Sequence, residues 1–154
     1  MSDRSALMQE VRLALRSLGA QLGRLNGAVG AAVELKGTDI ELLDHIGRVG
    51  PVSPSELATG LHIHPATLTG ILDRLEAGGW VVRERSSTDR RKVSLKALRT
   101  RAPELVRLYS PMNTAITKAC ADLTASQLVT IRDFLRTVSE AATSVVDEIR
   151  PDDE

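Results

Sequence analysis

Arg74, Arg83, Arg85, Arg90 and Arg91 crowd into eighteen residues of a 154-residue chain, with Asp89 just before the last two. A guanidinium is always charged and presents a planar fork of donors that fits phosphate and carboxylate oxygens. Shortly upstream, Thr67 and Thr69 stand among the small residues Ala66 and Gly70. Threonine can hydrogen-bond base edges or meet a thymine methyl, and small neighbours let a backbone come close to a groove floor. This is the chemistry of nucleic-acid recognition. The charge distribution agrees with it. Residues 61–101 hold nine Lys/Arg against four Asp/Glu, a net of +5, whereas residues 1–60 net −1 and residues 102–154 net −4. A basic centre between acidic ends is a usual footprint of a nucleic-acid face, and a merely solvated face is the plainer reading of the same charges.

Other chemistries are less well served. Cys120 stands alone, which excludes an intramolecular disulfide and fits a buried, inert thiol. The only histidines are His45, His62 and His64, with no cysteine or glutamate cluster that would complete a metal site. Histidines in a turn more readily cap a helix or meet phosphate. No glycine-rich phosphate loop or nucleophile elbow occurs, and no carboxylates read as a poised pair, so neither an enzyme nor a cofactor is expected. No stretch nears the roughly 18 apolar residues of a membrane span. The first thirty residues mix acids with bases and show no cleavage pattern, so a cytoplasmic protein without a signal peptide is expected.

The elements that must position these residues follow from periodicity. Asp3 to Val33 reads as one long helix with Leu7, Val11, Leu15, Leu18, Leu22, Leu25 and Val29 at three- and four-residue steps. Gly19, Gly23, Gly27 and Gly30 interrupt it, either to admit another helix closely or as flexible points. Capping boxes predict three helix starts: Thr38 with Glu41, Ser53 with Glu56, and Thr124 with Gln127. The first runs to about Val49. The second is short, with Pro54 at its first position and Gly60 at its end, and the third reaches about Arg150. Pro65 to Gly78 is a further helix with the stripe Leu68, Ile71, Leu72 and Leu75, stopped by Gly78-Gly79. Trp80–Arg85 and Lys92–Leu95 read as strands across a polar turn. Leu98 to Cys120 looks helical, with Pro103 in its first turn and Pro111 expected to kink or break it.

Short helix, tight turn, helix and two-stranded ribbon make a winged helix-turn-helix, whose second helix enters the major groove. Ser53, His64, Pro65, Ala66, Thr67, Thr69, Gly70 and Arg74 are its candidate DNA contacts on the helices, and Arg83, Arg85, Asp89, Arg90 and Arg91 those on the wing. Arg74, Arg83 and Arg85 suit phosphate or positioning ion pairs, and Asp73 can pair with a wing arginine. The run ELATGLHIHPATLTGILDRLEAGGWVVRERSSTDRRKVSL resembles the MarR family of bacterial regulators. The specific parts are SELA, LDRLEAGGWVVR and the Asp89-Arg90-Arg91 of the wing. The resemblance is sharp over residues 38–96 and topological elsewhere. Two departures stand out: no glycine follows Leu95-Lys96-Ala97-Leu98, and Gly70 replaces a longer polar residue.

The resemblance implies a mainly α fold with a two- or three-stranded wing. It divides the chain into an N-terminal dimerisation helix (1–36), a winged domain (37–98) and C-terminal dimerisation helices (99–154). It implies a homodimer on a palindromic double-stranded operator. Arg91, with Arg90 beside it, would reach into the minor groove while Asp89 orients it. A repressor released by a small aromatic or amphipathic ligand is the implied mode of action. Aromatics are only 2% of the chain, so such a pocket is expected to have aliphatic walls, with Arg16 or His45 as polar anchor. A winged helix that holds a protein partner and no DNA is the competing reading, and the basic middle third argues against it.

Overall fold

The computed structural model describes residues 3–85 and 93–149. Its elements run α1 (Asp3–Ala32), α2 (Gly37–Val49), α3 (Pro54–Gly60), α4 (Pro65–Ala77), β1 (Val81–Arg85), β2 (Val93–Ala97), α5 (Ala102–Cys120) and α6 (Ala125–Ile149). They pack as two units, one up to Tyr109 and one from Ser110. None of the described helices is long and apolar enough to cross a membrane.

The first unit has one apolar core. Val29 and Val33 enter it from the end of α1, Ile40, Leu42, Leu43 and Ile46 from α2, and Leu57 from α3. The α4 stripe Leu68, Ile71, Leu72 and Leu75 enters as its three- and four-residue spacing demands, and Trp80, Val81 and Leu95 close the far side. Each such large side chain contributes about 1.5–3 kcal/mol by leaving water. Leu105, Leu108 and Tyr109 at the start of α5 pack against this core, and the Tyr109 hydroxyl donates to Asn26 Oδ1 of α1 at 2.8 Å. The wing strands pair antiparallel with Arg83 opposite Leu95. Val52 adds a single bridge to Leu95, so the ribbon has two strands and a one-residue third. Where the usual glycine is missing after β2, the Leu98 N–H donates to the Trp80 carbonyl and ties the exit to the start of β1.

Three helices end in the same way. After α1, the Leu35 N–H reaches the Gly30 carbonyl with Glu34 at φ 62°. After α3, the Ile63 N–H reaches Ala58 with His62 at φ 49°, and after α4 the Trp80 N–H reaches Leu75 with Gly79 at φ 70°. Each is a Schellman closure with a left-handed residue before the final donor. Gly60 is thus merely the last residue of α3, and the left-handed position falls on His62. Trp80 is the buried end of the α4 closure, not a strand residue, so β1 starts one residue later than the sequence suggests.

The start of α2 also differs from expectation. Its N-cap is Lys36, not Thr38, and the returning carboxylate is Asp39, which accepts from the Lys36 N–H at 3.1 Å. The Ser53/Glu56 and Thr124/Gln127 boxes form as read. In the second unit Pro111 lies inside a continuous α5 and does not break it. Pro103 sits in the first turn of that helix, which begins at Ala102 and not at Leu98. Large apolar side chains of α6, among them Leu128, Ile131, Phe134, Leu135, Val145 and Ile149, are exposed in the single chain.

Candidate nucleic-acid interface

The α4 helix is prepared for its role at its first turn. His64 is the N-cap, its Nδ1 accepting from the Ala66 N–H at 3.2 Å, and Pro65 occupies the first helical position. With Leu68, Ile71, Leu72 and Leu75 directed into the core, Pro65, Ala66, Thr67 and Thr69 are left exposed on one side, with Gly70 half-buried beside them. Thr69 donates its hydroxyl to the Pro65 carbonyl at 2.9 Å, so toward a ligand it offers a methyl and an accepting oxygen. Ser53 lies on α3's approach, and its hydroxyl is engaged as N-cap to the Glu56 N–H.

Three arginines hold α4 in place. Arg83 of β1 donates from Nη2 to Asp73 at 2.8 Å and from Nη1 to Glu76 at 2.7 Å, which binds the wing to the helix. The expected pairing of Asp73 with a wing arginine is therefore present. Arg74 departs from expectation: its partner is Asp39 of α2, not the wing, with Nε to Oδ2 at 3.0 Å and Nη2 to Oδ1 at 2.7 Å. Asp39 is fully buried. Burial by itself pushes its carboxyl up and is the largest single influence. The Arg74 fork and the Lys36 N–H together outweigh it and leave the carboxyl below the usual carboxylate range. Arg101 is the third. Its guanidinium lies 4.0 Å over the Trp80 ring, donates to the Gly78 carbonyl at 2.8 Å and forks onto Glu104. It places a cation at the C-terminal end of α4, where the helix dipole favours one.

The sequence reading missed Asp39 and Arg101. Asp39 had a signal: with Leu42, Leu43 and Ile46 it falls on the apolar stripe of α2, and a carboxylate there needs a cationic partner. Arg101 had none, because its contacts depend on how the ends of α4 and β1 meet. Arg85 is exposed at the end of β1. Asp89, Arg90 and Arg91 lie outside the described residues. Arg16 is exposed on α1 and His45 half-buried on α2. No hydrogen bond or ion pair joins those two among the described residues. No group of three or more metal-ligating side chains occurs there either.

The family model described as the MarR family matches residues 35–93, from the entry to α2 to the first residue of β2. The chain is 28% identical over 148 residues to an HTH-type transcriptional regulator of Bacillus subtilis (strain 168), YcgE, covering 96% of this chain and 94% of the relative. FabT of Streptococcus pneumoniae, solved in complex with DNA, superposes with a TM-score of 0.67 at 20% identity, over 90% of this chain and 99% of that one. A mutant MarR from E. coli complexed with operator DNA superposes with a TM-score of 0.56 at 23% identity, over 90% and 99%. Residues 35–93 thus resemble the MarR family in sequence, and the order of helices and wing strands is that of the solved neighbours.

Proposed function

We propose that this protein is a sequence-specific DNA-binding transcription regulator and not an enzyme. The observation that carries the reading is the α4 surface: a buried apolar stripe on one side, and Pro65, Ala66, Thr67, Thr69 and Gly70 on the other at a helix N-terminus. Such a surface is small enough to enter a major groove, and the positive end of the helix dipole favours phosphate. The DNA complexes of the structural neighbours support it. Arg85, Arg90 and Arg91 are the wing's candidate contacts, with Asp89 as orienter, and His64 and Ser53 line the approach. The chain acts in the cytoplasm as a homodimer on a palindromic operator, and it represses until a small aromatic or amphipathic ligand releases it. The extent of exposed apolar surface on α1 and α6 supports the dimer. Arg16 or His45 is the proposed polar anchor for the ligand. Selection of bound duplexes from a random pool, followed by mobility shift, tests the reading. A palindromic winner with two half-sites is expected, and failure to enrich any sequence overturns it.

A further inference from the structure

We infer that Asp39, a buried residue of α2, is a positioning residue for DNA: it locks Arg74 so that the free Nη1 edge of the guanidinium meets a backbone phosphate. The inference rests on the DNA-binding reading and adds a residue that makes no contact with DNA itself.

The geometry is specific. Asp39 is 0% exposed and takes three donors, the Nε and Nη2 of Arg74 and the N–H of Lys36. A carboxylate so enclosed cannot lose its cation cheaply, so the fork stays made. Arg74 itself is not enclosed: its side chain is 41% exposed. Its Nε and one hydrogen of Nη2 are spent on Asp39, which leaves both hydrogens of Nη1 directed away from the carboxylate. A methyl group built on Gly70 would lie 3.8 Å from Nη1 and meet nothing else within 4 Å. Gly70 therefore leaves an opening beside Nη1 on the same helix as Thr67 and Thr69. A free arginine would forfeit rotamer freedom on meeting a phosphate, whereas this one is already fixed. The missing side chain at Gly70 and the held guanidinium then act together, the first allowing the DNA backbone near and the second meeting it.

Salt dependence of operator binding tests this, because each phosphate contact steepens it and a purely architectural pair does not. In a dimer two contacts are at stake. Between 50 and 200 mM salt, the parent should lose about twelvefold more affinity than a variant lacking them. D39N keeps every positive charge of the DNA face yet should show the shallower dependence, since an amide cannot hold the fork. R74K keeps the charge without the fork and should resemble D39N. The double variant D39N/R74Q leaves no unpaired buried charge, so it keeps the readout available should D39N fold poorly, and it too should be shallow. Parental salt dependence in the folded variants, or tighter binding by D39N, overturns the inference while leaving the DNA-binding reading intact. A parent that binds no duplex overturns both.

Discussion

Thr67 and Arg91 are proposed to serve the same complex in two different ways. Thr67 is exposed near the start of α4, where a hydroxyl and a methyl can sort base edges. Thr67→Ala should therefore change which bases are preferred, by about 1–3 kcal/mol for a contact of bidentate quality and less for a single hydroxyl. Arg91→Ala should weaken all sequences and reduce the salt dependence by about one unit per lost phosphate contact, doubled in a dimer, with fold and dimer intact. Comparing both variants on the selected operator and on a scrambled duplex checks this, and the assignment fails if both bind like the parent. Asp39 makes a prediction about stability instead. Its folded carboxyl titrates below the unfolded one, so its contribution is complete above about pH 5 and is lost as pH falls through the folded value. Glu56, held down by the Ser53 N–H and hydroxyl, and Glu104, held down by Arg101, act in the same direction. Denaturant melts between pH 3 and pH 7 should show stability falling toward acid. D39N should flatten that limb without abolishing it, and an unchanged limb would rule Asp39 out as a contributor.

At the scale of elements, the closures at helix ends decide how α1 meets α2 and how α4 meets the wing. Gly30 is essential to the first. A methyl there would lie 2.6 Å from the Leu35 carbonyl oxygen and 3.2 Å from the Lys36 carbonyl carbon, and backbone cannot swing aside as a side chain can. Gly30→Ala should cost roughly 1–3 kcal/mol, the usual range for forced overpacking. Gly19 lies in the same helix with nothing within 4 Å of such a methyl. Gly19→Ala should instead add about 0.5–1 kcal/mol through helix propensity. Thermal melts of the two variants, identical in chemistry and eleven residues apart, separate steric need from mere tolerance. Equal shifts in both would show that the Gly30 closure is not the constraint.

For the whole molecule, the question is what covers the apolar faces of α1 and α6. Leu7 and Val11 on α1, and Leu128, Ile131, Leu135 and Ile149 on α6, are among the exposed apolar residues of the single chain. A second copy is the proposed cover. Light scattering at micromolar concentration should give twice the mass of one chain, and Leu135→Asp should drive that mass down. The same variant should weaken operator binding far more than it weakens binding to a single half-site, since a dimer engages two half-sites about 34–36 Å apart. A monomeric parent would sink the proposal. If a ligand controls the dimer, linkage requires that operator weaken ligand binding by the factor by which ligand weakens operator binding. Titration with and without operator measures both, and equal ligand affinity in the two would leave a constitutive binder.

Much of the site was legible in the chain because local rules govern it. The Ser53-Pro54 start of α3, the Leu68/Ile71/Leu72/Leu75 stripe and the Gly78-Gly79 stop depend on residues within one or two turns, and all appear where the sequence puts them. The outward face of α4, with Ala66, Thr67 and Thr69, follows from that stripe alone. Tertiary structure decided what depended on distant neighbours. Local spacing pointed to Thr38 as the start of α2, whereas Lys36 is the N-cap with Asp39 as the returning carboxylate, and Arg74, 35 residues away, makes Asp39 part of a buried pair as well. Arg74 suits phosphate or a wing partner by sequence alone, and only the structure shows Asp39 of α2 in place of the wing partner. His62 took the left-handed position because the hydrogen-bonded closure after α3 needs a residue there, whichever it is. Pro111 stayed within α5 although proline is a poor interior residue, so local propensity did not decide that helix. Side-chain type and spacing thus determined which faces the helices present. The placement of charged partners across the core, which no short window of sequence contains, determined what holds those faces in position.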